Sequence, residues 1–132
     1  MSQNHTHTEN ISHTQTSPPV YMKEWLLMQA HLQLDYAGVD NAITILEFVE
    51  ETYGESITTG LMLCKAWSQI NEAVKLEVRA RKMLNNIELS NQQRAAIYFC
   101  LSQVRWVSGN KNAARKAYLS YNLHIKEQSD LK

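Results

Sequence analysis

Between residues 18 and 128 the apolar side chains recur at helical spacing in six blocks, parted by short polar or glycine-bearing breaks. The blocks predict helices at about Pro19–Tyr36, Val39–Tyr53, Ser56–Ile70, Glu72–Asn86, Asn91–Ser108 and Lys111–Gln128. Breaks at Ala37-Gly38, Gly54, Asn85-Asn86 and Gly109-Asn110 suit helix ends, whereas Ile70-Asn71-Glu72 turns without a glycine. Ser90 followed by Gln93 predicts a capping box opening the fifth helix. The second, fourth and sixth helices each carry one stripe: Val39, Ala42, Ile43, Leu46, Val49; Ala73, Leu76, Ala80, Met83, Leu84; Ala114, Ala117, Tyr118, Tyr121, Ile125. The first, third and fifth are apolar on more than one face, as in Tyr98, Phe99, Leu101, Val104, Trp106 and Val107. One neighbour cannot satisfy two apolar faces, so these helices must be sandwiched or must offer a face to something else.

The alternation reads as three helix-turn-helix pairs, and the pairs keep a period. Small or short side chains suited to close helix approach in the first helices, Ala30, Cys64 and Ser102, are separated by 34 and 38 residues, and Ala42, Leu76 and Ala114 in the second helices repeat those intervals. Two helices in about 34 residues is the tetratricopeptide period, and the longer interval is absorbed by the loop over Asn85 to Ser90. The first pair departs from that pattern with Leu46 where an aromatic is usual, and the middle pair with Leu76 where a small residue is usual, so that the third pair alone matches well. The predicted fold class is therefore all-α, three tetratricopeptide-like pairs in a short right-handed solenoid with a concave groove. On this register Leu27, His31, Leu34, Leu61, Lys65, Ser68, Phe99, Gln103 and Trp106 line the groove, a mixture suited to an amphipathic helix or an extended peptide. The competing architecture is a closed six-helix bundle in which the same side chains fill the core.

Composition narrows the function. The chain of 132 residues has 13 Lys+Arg against 13 Asp+Glu, so it carries no basic field for nucleic acid. Zero net charge also gives little protection against self-association. No run is apolar enough to span a bilayer, which argues against membrane insertion, and no secretory signal is visible, so a cytoplasmic setting is expected. Cys64 and Cys100 sit among apolar neighbours and are expected to be buried thiols. Apart from Met1, Glu9 and the one aliphatic residue Ile11, residues 1–17 are all Asn, Thr, Gln, Ser and His, and are expected to be a disordered tail. His5, His7 and His13 in that tail lack the Cys or carboxylate company of a metal site. The ordered domain is expected over 18–128, with 129–132 as a C-terminal tail.

No constellation for catalysis stands out, so the chain is read as a non-enzyme needing neither metal nor cofactor. Glu47, Glu50 and Glu51, and likewise Arg79, Arg81, Lys82, Lys111, Arg115 and Lys116, read as solvated helix faces. His31 reads as a packing or hydrogen-bonding residue, and His124 has no evident partner in the sequence.

Two stretches carry a family resemblance: Glu24-Trp25-Leu26-Leu27-Met28-Gln29-Ala30-His31-Leu32-Gln33-Leu34 with Asn41-Ala42, and Cys100-Leu101-Ser102 with Gly109-Asn110, Ala114-Arg115, Ala117-Tyr118 and Tyr121. Together they resemble the YscY (SctY) family of small bacterial type III secretion chaperones, over about Glu24 to Lys126. The resemblance implies a bacterial cytoplasmic chaperone that binds a secreted partner of the YscX (SctX) type as a 1:1 heterodimer. It also implies that the inner groove takes the partner's C-terminal helical region, and that the complex contacts the cytosolic domain of the export-gate protein. The alternatives are a tetratricopeptide chaperone for translocators or needle subunits, or a general tetratricopeptide scaffold.

Overall fold

Six helices succeed one another in a computed structural model that describes residues 19–36 and 38–130, with side chains as far as residue 127. They are α1 (Val20–Asp35), α2 (Val39–Tyr53), α3 (Ile57–Gln69), α4 (Ala73–Leu84), α5 (Asn91–Val107) and α6 (Lys111–Asp130), and the described residues contain no strand. The tail expected over 1–17, with its three histidines, lies outside the described residues, as do residues 131–132. Helix α6 runs through Ser129 and Asp130, into the stretch expected as a C-terminal tail.

The helix ends follow from local chemistry. Ser90 Oγ accepts from the Gln93 N–H at 3.1 Å, and the Gln93 side chain accepts from the Ser90 N–H at 2.9 Å, closing the predicted box. A second box at the start of α3 was not foreseen, because Thr59 stands where Glu or Gln is usual: Ser56 Oγ accepts from the Thr59 N–H and Thr59 Oγ1 from the Ser56 N–H, both at 3.1 Å. Between α3 and α4 the chain turns through Asn71 at φ 60°, the left-handed conformation that Asn tolerates better than most non-glycine residues. The loop from Asn85 to Ser90 is anchored by buried Leu89 and by Arg94, whose guanidinium donates to the carbonyls of Leu84 and Asn86 at 2.8 Å.

Each helix packs against its sequence partner, and successive pairs meet through α1–α3, α2–α3, α3–α5 and α4–α5. No backbone contact joins the first pair to the third among the described residues. One continuous core runs through the array, with Leu46, Leu63, Leu76, Ile97 and Val104 fully buried. Ala30 and Ala42 are fully enclosed and Ala114 and Cys64 nearly so, as expected of the close-approach positions. Gly60 serves a similar purpose between α3 and α4. A Cβ there would lie 2.6 Å from Met83 Sδ, so the missing side chain is what lets Met83 and Arg79 cross.

The joints between pairs overturn part of the charge reading. Glu50 and Arg79 are not solvated: their side chains are 13% and 11% exposed. Arg79 meets Glu50 through both terminal nitrogens, and Thr59 Oγ1 donates to the same carboxylate at 2.5 Å. Burial alone would lower the pKa of Arg79, but the hydrogen bond and charge of Glu50 outweigh it and the pKa rises. The long arginine side chain thus ties the first pair to the second although the backbones of α2 and α4 do not meet. A second fork ties the second pair to the third, Arg105 Nε to Glu77 Oε2 at 2.7 Å and Nη2 to Oε1 at 2.9 Å.

Candidate functional site

Two apolar hollows open on the array. The first, about 530 Å³, is walled by α1, α3 and α5. It collects seven of the nine residues read as groove-lining: His31, Leu34, Leu61, Lys65, Ser68, Phe99 and Gln103. Their gathering follows from the packing, since α1 and α5 both lie against α3. Leu34 contributes only an edge, being 5% exposed and packed with Ala42 and Ala66. Leu27 lines neither hollow; it is half-buried against the core, one turn short of the opening.

Chemically this hollow is an apolar bed with a charged rim. Leu61, Met62 and Phe99 supply the bed, over fully buried Ile97. On the rim, Asp35 Oδ1 lies 3.9 Å from Lys65 Nζ and Asp35 Oδ2 lies 3.6 Å from His31 Nε2. Ser68 Oγ donates to the Lys65 carbonyl at 2.8 Å, so that hydroxyl already has an acceptor in its own helix. Cys64 and Cys100 complete the floor. Burial pushes the Cys64 thiol up to about 12, and it raises Cys100 as well. Both sulfurs are therefore protonated at neutral pH, as small apolar groups and not as nucleophiles. No group of three His, Cys, Asp or Glu side chains comes together to hold a metal ion among the described residues.

The second hollow, about 630 Å³, lies between α5 and α6. Trp106, the ninth predicted residue, is here with Val107, Ala114, Tyr118 and Leu119, while Phe99 and Gln103 line both hollows. Lys111 Nζ sits 5.2 Å from the centre of the Trp106 ring, and Arg115 lies on the wall. The groove reading missed the α6 side. Its signal in the sequence was Leu119, an apolar residue beside the main α6 stripe and 66% exposed. His124, which had no evident partner, stacks on Tyr98 at 5.5 Å, with Nδ1 2.8 Å from the Ser120 carbonyl oxygen.

No helix among the described residues is long and apolar enough to cross a membrane. Comparisons with models of protein families, with curated proteins and with solved structures find no match.

Proposed function

We propose that this chain is a cytoplasmic type III secretion chaperone of the YscY kind, which holds a helical segment of a secreted YscX-type partner in the hollow between α1, α3 and α5. The single observation that carries the reading is that hollow. It is open, bedded with apolar side chains, rimmed by Lys65, His31 and Asp35, and made of seven residues that the repeat register selects. An amphipathic helix fits such a bed, with its apolar stripe on Leu61 and Phe99 and its polar edge meeting Lys65 and Gln103. Contacts of α1 with α3 and of α3 with α5, with none between α2, α4 and α6, support a short tetratricopeptide-like solenoid whose concave side is formed by the first helices. The absence of contact between the first and third pairs speaks against the closed bundle. In this reading the 1:1 complex keeps the partner soluble and presents it to the cytosolic domain of the export-gate protein.

The test is co-expression with a YscX-type protein and measurement of the complex by light scattering and titration. Ala96 is exposed, small and on the wall of the first hollow, so Ala96→Glu puts a charge in the bed without touching the core. It should weaken binding about 30-fold, the loss expected of a charge facing an apolar contact, while leaving helicity unchanged. Val78→Glu, on an exposed position of α4 that lines neither hollow, should bind as wild type. An Ala96→Glu protein that binds at full strength rules the site out. Translocators and needle subunits tested in the same assay separate this chaperone class from its neighbours.

A further inference from the structure

Among the described residues the array has an empty slot at one end and an uncovered helix face at the other, and the repeat relates them. In the first pair, the slot between α1 and α2 is filled by α3, and in the second the slot between α3 and α4 is filled by α5. The slot between α5 and α6 is the hollow of about 630 Å³. The helices that fill slots do so with one face: Thr59, Met62 and Ala66 in α3, Ile97, Cys100 and Val104 in α5, all buried or half-buried. One repeat earlier, the same positions of α1 are Trp25, Met28 and Leu32, and all three are exposed, in line with Tyr21 and Tyr36.

We propose that this protein self-associates head to tail, the outer face of α1 in one copy seating in the α5–α6 slot of the next; the inference rests on reading the three pairs as one stack. The register names the contact. Ala66 of α3 packs on Leu34 and Ala42, so Leu32 of the incoming copy meets their equivalents two repeats on, Trp106 and Ala114. The exposed parts of Tyr21, Trp25, Met28, Leu32 and Tyr36 amount to roughly 650 Å² on one copy, so a junction covering both faces reaches the size of a standard protein interface. Charge agrees with the pairing, because Glu24 flanks the α1 stripe while Lys111 and Arg115 stand at the slot. Zero net charge removes repulsion between copies. Residues 1–17, with Ile11 as the sole aliphatic residue, lack the apolar side chains to cover that stripe. Such a heterologous contact does not close on itself in a dimer and adds copies with concentration.

Sedimentation of the full chain from about 1 to 200 μM, which brackets micromolar association, tests this. Wild type should show a weight-average mass that keeps rising. Trp25→Glu and Leu119→Glu should each be monomeric, with wild-type circular dichroism, since both positions are exposed. Mixed in equal amounts they should form a dimer that grows no further, because each supplies the surface the other has lost. Should Leu119→Glu misfold, Val107→Glu, also exposed in the slot, replaces it. A wild type that stays monomeric overturns the proposal, as does either variant remaining dimeric alone, which would mean a symmetric contact. Mixing that yields no dimer overturns it equally. Phe99 and Gln103 line both hollows, but Ala96 lines only the first, so Ala96→Glu tests the partner site separately from these results.

Discussion

Replacing Arg79 with Met removes the cation that ties the first helix pair to the second. Met keeps the length and apolar stem of arginine, so the change isolates the guanidinium. Glu50 is then a carboxylate 13% exposed whose remaining partner is the Thr59 hydroxyl. Breaking a buried pair from one side costs about 3–5 kcal/mol; with the joint reached by a little solvent, about 3 kcal/mol is expected. For a domain of this size that corresponds to roughly 10–20 °C in Tm. Against a total stability of about 5–15 kcal/mol the variant should still fold. The assay is urea unfolding followed by circular dichroism, run as a cycle with Glu50→Leu and the double variant. Removing both charges should recover most of the loss, because an apolar pair of similar volume carries no desolvation cost. Lys82→Met, which breaks only the exposed 2.6 Å contact with Glu55, should cost under about 0.5 kcal/mol. If Arg79→Met loses less than about 1 kcal/mol, or the double variant is no better than the single, the joint is not the buried ion pair argued here.

Other consequences can be measured in the same way. The hydrogen bond from Arg105 holds Glu77 below its ordinary pKa of 4.5, so the joint's contribution is fully present above that value and lost as pH falls through the lower folded one. Acid titration of stability should therefore show a carboxylate step that Glu77→Gln removes; an unchanged curve would refute it. Leu34→Glu should unfold the chain, because Leu34 is 5% exposed and leaves a charge no route to water, whereas Trp106→Glu at 51% exposure should keep full helicity by circular dichroism. Gly60→Leu should destabilise by about 1–3 kcal/mol in urea, since its side chain would have to occupy the space of Met83. Both cysteines should resist alkylation at pH 8 in the folded state and react on unfolding; rapid native labelling would contradict the buried thiols.

All six helices were legible in the sequence to within two residues at nearly every end, because apolar spacing, caps and breakers act locally. The capping box at Ser90 and the turn at Gly109 could be read directly. The loop after α4 was placed correctly, but its anchor, Leu89, was not, since burial of a lone apolar loop residue depends on what lies above it. The groove was read from register, and most of it converged where α1 and α5 both lie against α3. Leu27 failed for a geometric reason: it sits on the correct face but one turn beyond the opening. Glu50 and Arg79 failed because both lie at polar positions of amphipathic helices, and their meeting depends on Gly60 and Thr59 in a helix between them.

The amino-acid pattern alone determined that this chain is helical, how many helices it has and how they pair, since a stripe of period 3.6 and a cap are properties of neighbours along the chain. It also determined which helices carry a second apolar face. Which of those faces are covered was decided only by tertiary structure: α3 and α5 bury theirs in the slot ahead, while the outer face of α1 and the α5–α6 slot meet no other helix among the described residues. Periodicity states that a face is apolar, and only the position of a helix within the stack states whether another helix lies against it.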